Sequence, residues 1–277
     1  NGQVDTTPIL PKIDASQLRT DCDTEAFLHL YKKIGIEDLI RTVPDSYSAV
    51  IFDTATKDAY AFRDRHGRMP CWIGRDDTGK YIIASEDSAI RKNNWTPLRE
   101  VRPGELIRIS RVGDFHSEQI VEQKPFHCIF QRTYVESLDS THDGILISAM
   151  RESLGNILAE EHPVGDADII TYIPRAPKPA ALGYARALGL ENNFTDVFYK
   201  IKYKRIFIES TQSQRDNAAD DEIFMFPYVN LKGKNVVIID DSIIRGTESR
   251  KAVKLAREAG ADRIYFLVYT MHIGIEL

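Results

Sequence analysis

Cysteine is scarce in this 277-residue chain, and its placement excludes a disulfide scaffold. Cys22, Cys71 and Cys128 are widely and irregularly spaced, which predicts a reducing cytoplasm. A membrane-length apolar run is also missing, which argues against an integral membrane protein. Basic residues are in slight deficit, with 36 Lys and Arg against 41 Asp and Glu and a formal net charge of -5. That balance gives no general attraction for nucleic acid or an anionic membrane, so any phosphate must be held by local structure. A leading methionine and a signal-peptide pattern are both absent; the first residue is Asn1, which predicts a processed product or a fragment. The length suits two domains better than one.

What is present is organised around Lys234 to Ala259. Val236, Val237, Ile238 and Ile239 form an unbroken β-branched run, the pattern of a strand buried on both faces of a parallel sheet. The run ends in Asp240 and Asp241, followed by Ser242, Ile243, Ile244, Arg245, Gly246 and Thr247. Beyond Thr247 the spacing of Ala252, Leu255, Ala256 and Ala259 predicts a helix that Gly260 ends. A loop between a buried strand and a helix N-terminus suits a phosphate, because backbone N–H groups and the helix dipole both favour an anion. Paired acids at the strand edge suit the vicinal hydroxyls of a sugar, a divalent cation, or both. The bland alternative is a doubly wound sheet whose loop binds nothing, with both acids capping or solvated.

The run V-V-I-I-D-D-S-I-I-R-G-T resembles the phosphoribosyl pyrophosphate (PRPP) motif of type I phosphoribosyltransferases. It is most similar to the form found in the glutamine amidophosphoribosyltransferases, which open purine biosynthesis. The resemblance implies that Asp240 and Asp241 contact the ribose hydroxyls and a magnesium ion, and that Ser242, Ile243, Ile244, Arg245, Gly246 and Thr247 complete the PRPP site. It implies an α/β architecture: a partial N-terminal-nucleophile (αββα) glutaminase domain, then a type I phosphoribosyltransferase domain with a parallel sheet. The pattern changes from strands to alternating strands and helices near Pro125, so the boundary is set at 1–125 and 126–277.

In the first part, Phe27, Leu30, Tyr31 and Ile34 predict an amphipathic helix with Asp23 at a plausible N-cap. Capping is one reading of Asp23. The resemblance supplies another, in which Asp23 holds the α-amino group of glutamine while Asn1 and Gly2 form the oxyanion hole. Short apolar segments at Ser48 to Phe52, Ala59 to Arg63, Cys71 to Gly74 and Tyr81 to Ser85 predict strands joined by turns. The family usually has arginine directly before Pro70, where this chain has Met69. His66 lies in a turn and is read as solvent-facing. Family members use an N-terminal cysteine as nucleophile; Asn1 is not one, so the chain as it stands is expected not to hydrolyse glutamine. The simplest account is a missing upstream segment.

In the second part, Leu146, Met150, Leu154 and Leu158, with Ala149 and Ile157, predict a helix, and Ala167 to Ile173 a buried strand. The loop Pro174 to Pro179 departs from the family pattern. Ala176 offers no oxygen where the family has a magnesium-ligating serine, and Pro177 lacks the N–H that glycine supplies. Arg175 and Lys178 are alternative diphosphate contacts, or the cations of a surface loop. Lys202, Tyr203, Arg205 and Phe207 match the family's mobile loop, with Lys202 and Arg205 as further diphosphate contacts. The acids Asp216, Asp220, Asp221 and Glu222 that follow would repel a diphosphate. Cys128 resembles an iron–sulfur ligand of some members, but no cysteine follows it, so no cluster is expected and Cys128 is read as a buried thiol.

The implied reaction takes ammonia from glutamine and adds it to C1 of PRPP, giving phosphoribosylamine and pyrophosphate. Implied partners are PRPP, glutamine or ammonia, purine nucleotides as feedback ligands, and further copies of the chain in a homo-oligomer. Two other classes stay open: a salvage-type transferase with a base as acceptor, and a PRPP or nucleotide sensor without catalysis.

Overall fold

Strict alternation builds the first half of the chain. The computed structural model describes residues 1–200 and 223–270 and divides into two units, Asn1–Gln131 and Arg132–Leu277. In the first unit a five-stranded antiparallel sheet runs β1 (Gly2–Gln3), β2 (Ser46–Phe52), β3 (Ala59–Arg63), β7 (Glu105–Ile109), β8 (Phe115–Gln119). A second sheet has the order β5 (Tyr81–Ala84), β4 (Trp72–Arg75), β6 (Thr96–Glu100). Tyr47, Ala49, Ile51, Tyr60, Phe62 and Leu106 point to the face covered by α1 (Asp23–Ile34) and α2 (Ile36–Thr42), where Phe27 and Leu30 meet them. Their neighbours Ala61 and Ile107 point the other way and pack with Cys71, Ile73 and Val101. The period of two thus gives each strand two apolar faces, one for helices and one for the second sheet. α3 (Asp87–Lys92) follows β5.

The second unit changes period. After a small hairpin, β9 (Thr141–His142) and β10 (Ile145–Leu146), come α4 (Ile147–Glu161), β11 (Ile169–Tyr172), α5 (Lys178–Ala187), β12 (Phe198–Lys200), β13 (Ile223–Met225), β14 (Asn235–Asp240), α6 (Thr247–Glu258) and β15 (Arg263–Val268). β14 is central in a parallel sheet of order β11, β14, β15, in register from Ile169 against Val236 to Asp240 against Val268. Val237 and Ile239 face Leu158, Ala181 and Tyr184. Val236 and Ile238 face Ala252 and Ala256 of α6. All four β14 residues are fully buried, which is why this strand reads as an apolar run rather than an alternation. α4 and α5 touch through glycines: a Cβ on Gly155 would lie 1.9 Å from the Ala180 carbonyl oxygen, and one on Gly183 would lie 2.2 Å from that of Glu152.

Some expectations need correction. Ile157 is 48% exposed and lies off the buried face of α4, and Leu146 sits outside that helix. Cys128 is half-buried rather than enclosed. The basic run with Lys202, Tyr203, Arg205 and Phe207, and the acids Asp216 to Glu222, lie outside the described residues. Among the described residues no helix is long and apolar enough to cross a membrane.

Candidate functional site

The first unit holds a cavity of about 380 Å³ lined by Asn1, Gly2, Asp23, Tyr47, Ser48 and Cys71, among others. The three residues the sequence singled out are therefore brought together. Asn1 and Gly2 are held by β2: the Asn1 backbone nitrogen donates to Ser48 O at 2.9 Å, and the Ser48 N–H donates to Asn1 O at 2.8 Å. Gly2 pairs with Tyr47 at φ +125°, and a Cβ there would lie 2.1 Å from the Ser46 carbonyl oxygen, so only glycine fits. Asp23 is not the cap of α1. That position belongs to Cys22, which makes no side-chain cap bond. Asp23 begins the helix, and its Oδ2 accepts the Val4 N–H at 2.9 Å. That bond, more than the help from Thr24, holds the Asp23 carboxyl below its usual range. An anionic carboxylate beside a pocket is suited to an ammonium group.

Cys71 was not singled out for this site, though it lines the same cavity. Burial pushes its thiol up to about 11, so it is protonated and unreactive at neutral pH. His66 binds the Lys124 carbonyl through Nδ1 at 2.8 Å, a structural contact in its turn.

In the second unit the strand, acid pair, loop and helix follow the predicted order. Asp240 ends β14, and Gly246, left-handed at φ 71°, opens α6. Asp240 and Asp241 are both buried. The Asp241 N–H donates to Asp240 Oδ1 at 2.9 Å. The Asp241 carbonyl accepts the Thr270 hydroxyl at 2.7 Å, tying the pair to the end of β15. Burial first, then the charges of Asp241 and Glu248, pushes Asp240 well above the ordinary carboxylate range. Burial pushes Asp241 up as well. Ile243, Ile244 and Arg245 are exposed, flanked by half-buried Ser242 before them and by half-buried Gly246 and Thr247 after them. Both acids therefore sit sunk at the strand edge beneath an open loop.

Glu248 is a site residue that the sequence reading missed. It lies in the first turn of α6, and Lys200 Nζ donates to its two oxygens at 2.8 and 3.0 Å. The acid directly after Thr247 was visible, but its lysine partner lies 48 residues away and only the fold pairs them. Of the Pro174 to Pro179 stretch, Pro174 to Pro177 precede α5, with Pro177 at its N-cap, and Lys178 and Pro179 open the helix. Arg175 is exposed there. Lys178 is engaged: its Nζ lies 3.2 Å from both oxygens of Asp196 and 5.5 Å from the Tyr172 ring centroid. A diphosphate would have to compete with Asp196 for that ammonium.

Comparison with known proteins gives consistent relatives for both units. Residues 11–130 match the family model of the glutamine amidotransferase domain. An amidophosphoribosyltransferase of Methanothermobacter thermautotrophicus is 32% identical over 257 residues, covering 89% of this chain and 52% of the relative. That of Bacillus subtilis is 34% identical over 262 residues, covering 90% and 53%. A solved glutamine PRPP amidotransferase from B. subtilis, complexed with ADP and GMP, superposes with a TM-score of 0.79 at 33% identity, over 94% of this chain and 57% of its own. The acid pair at the edge of β14 and the Asn-Gly and Asp pocket thus lie in units whose sequence and fold agree with one lineage. By sequence and fold about nine-tenths of the chain is similar to amidophosphoribosyltransferases, and it spans about half the length of the curated relatives it matches.

Proposed function

We propose that this chain carries the PRPP-binding and glutamine-binding parts of an amidophosphoribosyltransferase, which adds ammonia drawn from glutamine to C1 of PRPP and releases pyrophosphate. One observation carries the reading: two buried carboxylates end a fully buried strand, immediately before a loop and a helix opened by a left-handed glycine. Neither acid gains a fixed cation among the bonds described, and each is pushed toward protonation by burial. Such a pair becomes comfortable as anions only when a ligand brings positive charge or hydroxyl donors. A magnesium ion fits that need, and Asp240 and Asp241 would hold it. When bound, it would supply charge that offsets the departing diphosphate.

The chain's own residues would do the rest. Asp240 and Asp241 fix the ribose through its hydroxyls, which orients C1 toward incoming ammonia. The amides of the loop and of the first turn of α6, where no side chain caps the helix, receive the 5'-phosphate. In the first unit, where Asn1, Gly2 and Asp23 line one cavity, the Asp23 carboxylate would receive the ammonium of glutamine, while the Asn1 amide and Gly2 N–H would stabilise an oxyanion.

A second reading, PRPP binding without turnover, draws support from Ala176 and Pro177, which remove an oxygen and an N–H from the diphosphate loop, and from the Lys178–Asp196 pairing. Pyrophosphate release from PRPP, magnesium and ammonium ion separates the two. Release that disappears in Asp241→Asn supports the transferase; PRPP binding by calorimetry with no release supports the sensor; neither binding nor release at millimolar PRPP overturns both.

A further inference from the structure

The cavity of the first unit carries charge of one sign. Asp23 is the ionised side chain among the residues that line it, and no lysine or arginine side chain stands with it there. Arg63, Arg65 and Arg68 lead along the chain to Pro70 in the cavity wall, yet none of them reaches the lining. Arg63 is buried and turned to other partners: its Nη1 donates to Val101 O at 2.7 Å and lies 3.2 Å from Glu100 Oε1. Arg68 donates from Nη1 to Ser46 Oγ at 2.8 Å, and its guanidinium carbon lies 5.3 Å from the Phe126 ring centroid. The residue directly before Pro70 is Met69, which brings no charge. Further acids lie behind the wall. Asp64 Oδ2 accepts the Tyr47 N–H at 3.1 Å, and burial, then the charges of Asp64 and Asp45, raise the Tyr47 hydroxyl above its ordinary range. The positive end of α1 is already met by Asp23 and Glu25 in its first turn.

Free glutamine carries its ammonium and its carboxylate on one carbon. An ammonium bound at Asp23 therefore brings a second carboxylate alongside the first, with only neutral hydroxyls such as those of Thr24 and Ser85 to receive it. Taking that charge out of water with no opposite charge to meet it is unfavourable, whereas an amide or a hydrogen in its place has no such requirement. Resting on the reading of this cavity as the glutamine pocket, we propose that it selects a primary ammonium joined to a carboxamide and lacking a free carboxylate. Two sources share that chemistry: decarboxylated glutamine, and glutamine whose carboxyl is itself amide-bound, as at the N-terminus of a peptide. The Asp23 carboxylate holds the ammonium, and the Asn1 amide and Gly2 N–H receive the side-chain carboxamide. Thr24, Val50 and Ser85 are exposed at the rim, so a peptide can run outward there.

The test is calorimetric titration of the full chain at neutral pH with glutamine, γ-aminobutyramide, glutaminamide and glutaminyl-glycinamide. γ-Aminobutyramide and glutaminamide should each bind about tenfold or more tighter than glutamine, the discrimination expected of one unmet charge. Glutaminyl-glycinamide binding as well as glutaminamide assigns the site to peptide N-termini; its exclusion while γ-aminobutyramide binds assigns the site to small amines. Asp23→Asn should weaken all of these by about tenfold or more. N-acetylglutamine, which keeps the carboxylate and loses the ammonium, should not bind the wild-type chain, a check on Asp23 that needs no variant. Glutamine binding through Asp23 as tightly as glutaminamide, or tighter, overturns the selectivity and leaves the glutamine pocket in place. N-acetylglutamine binding as well as glutaminamide, or glutaminamide binding that ignores Asp23→Asn, overturns it too. Failure of every one of these ligands to bind at millimolar concentration removes the glutamine pocket as well, while pyrophosphate release from PRPP and ammonium ion still reports on the second unit.

Discussion

Gly2→Ala is the sharpest probe of the glutamine pocket, because two numbers determine its outcome. Gly2 has φ +125°, a region that costs a non-glycine residue roughly 1–3 kcal/mol. The added methyl would also lie 2.1 Å from the Ser46 carbonyl oxygen and 2.8 Å from Tyr47 Cα. Both atoms belong to the backbone of β2, which is locked to β3 by five residue pairs from Ser48 to Phe52. β2 cannot retreat, so β1 must. β1 is held by the pairs Gly2 with Tyr47 and Gln3 with Ser46, by the two Asn1–Ser48 bonds before them and by the Val4 N–H bond to Asp23 after them. At about 1 kcal/mol net per hydrogen bond, that hold is comparable to the strain and the backbone clash together. The expected result is local undocking of β1 with the rest of the unit intact. Hydrogen exchange reads this directly: the Ser48 amide, which donates to Asn1 O, should lose at least about tenfold in protection. Amides in the β3–β7 ladder should keep theirs. Glutamine affinity should fall with Ser48 protection, since Asp23 loses the Val4 N–H that holds its carboxylate. Unchanged protection at Ser48 would refute the reasoning, whatever happened to affinity.

Other outcomes follow from the same geometry. Asp241→Asn should weaken PRPP binding by roughly 30-fold to 100-fold in calorimetry, the loss of about 2–3 kcal/mol from a charged hydrogen-bond acceptor; retention of affinity would remove Asp241 from the site. Asp240→Asn should raise the apo-protein's melting temperature at pH 7 while abolishing PRPP binding. The Asp240 carboxyl is raised in the folded state, so its charge destabilises the fold as pH rises through that raised value, and the neutral amide removes the effect; a fall in melting temperature would contradict this. Asp23 has the opposite sign. Its carboxyl is depressed, so its contribution is present above the unfolded carboxylate range and is lost as pH falls through the folded value; Asp23→Asn should flatten the acid limb of a stability–pH profile. Gly155→Ala should lower the melting temperature by several degrees, because overpacking against the Ala180 backbone at 1.9 Å, about 1–3 kcal/mol, outweighs the roughly 0.5–1 kcal/mol that alanine gains inside a helix; an increase would show that α4 and α5 are farther apart.

Elements governed by local rules were readable from the chain. β14 announced itself because burial on both faces permits no polar position, and α6 because Ala252 and Ala256 recur at helical spacing toward the sheet. The acid pair was legible for the same reason: charge at the end of an apolar strand stands out in one dimension. Asn1, Gly2 and Asp23 needed the family resemblance, since local spacing alone read Asp23 as a cap. What the chain could not reveal was pairing at a distance. The Val4 amide claims Asp23, Asp196 claims Lys178, and Lys200 claims Glu248, each across 18 to 48 residues. Whether a charged side chain is available to a ligand depends on which partner the fold brings within 3 Å or so, and sequence order carries no record of that distance. Residue order alone thus determined which strands are buried and where the phosphate loop turns. Tertiary structure alone decided which charges are already satisfied and which still face an open cavity, because ion pairing depends on separation in space.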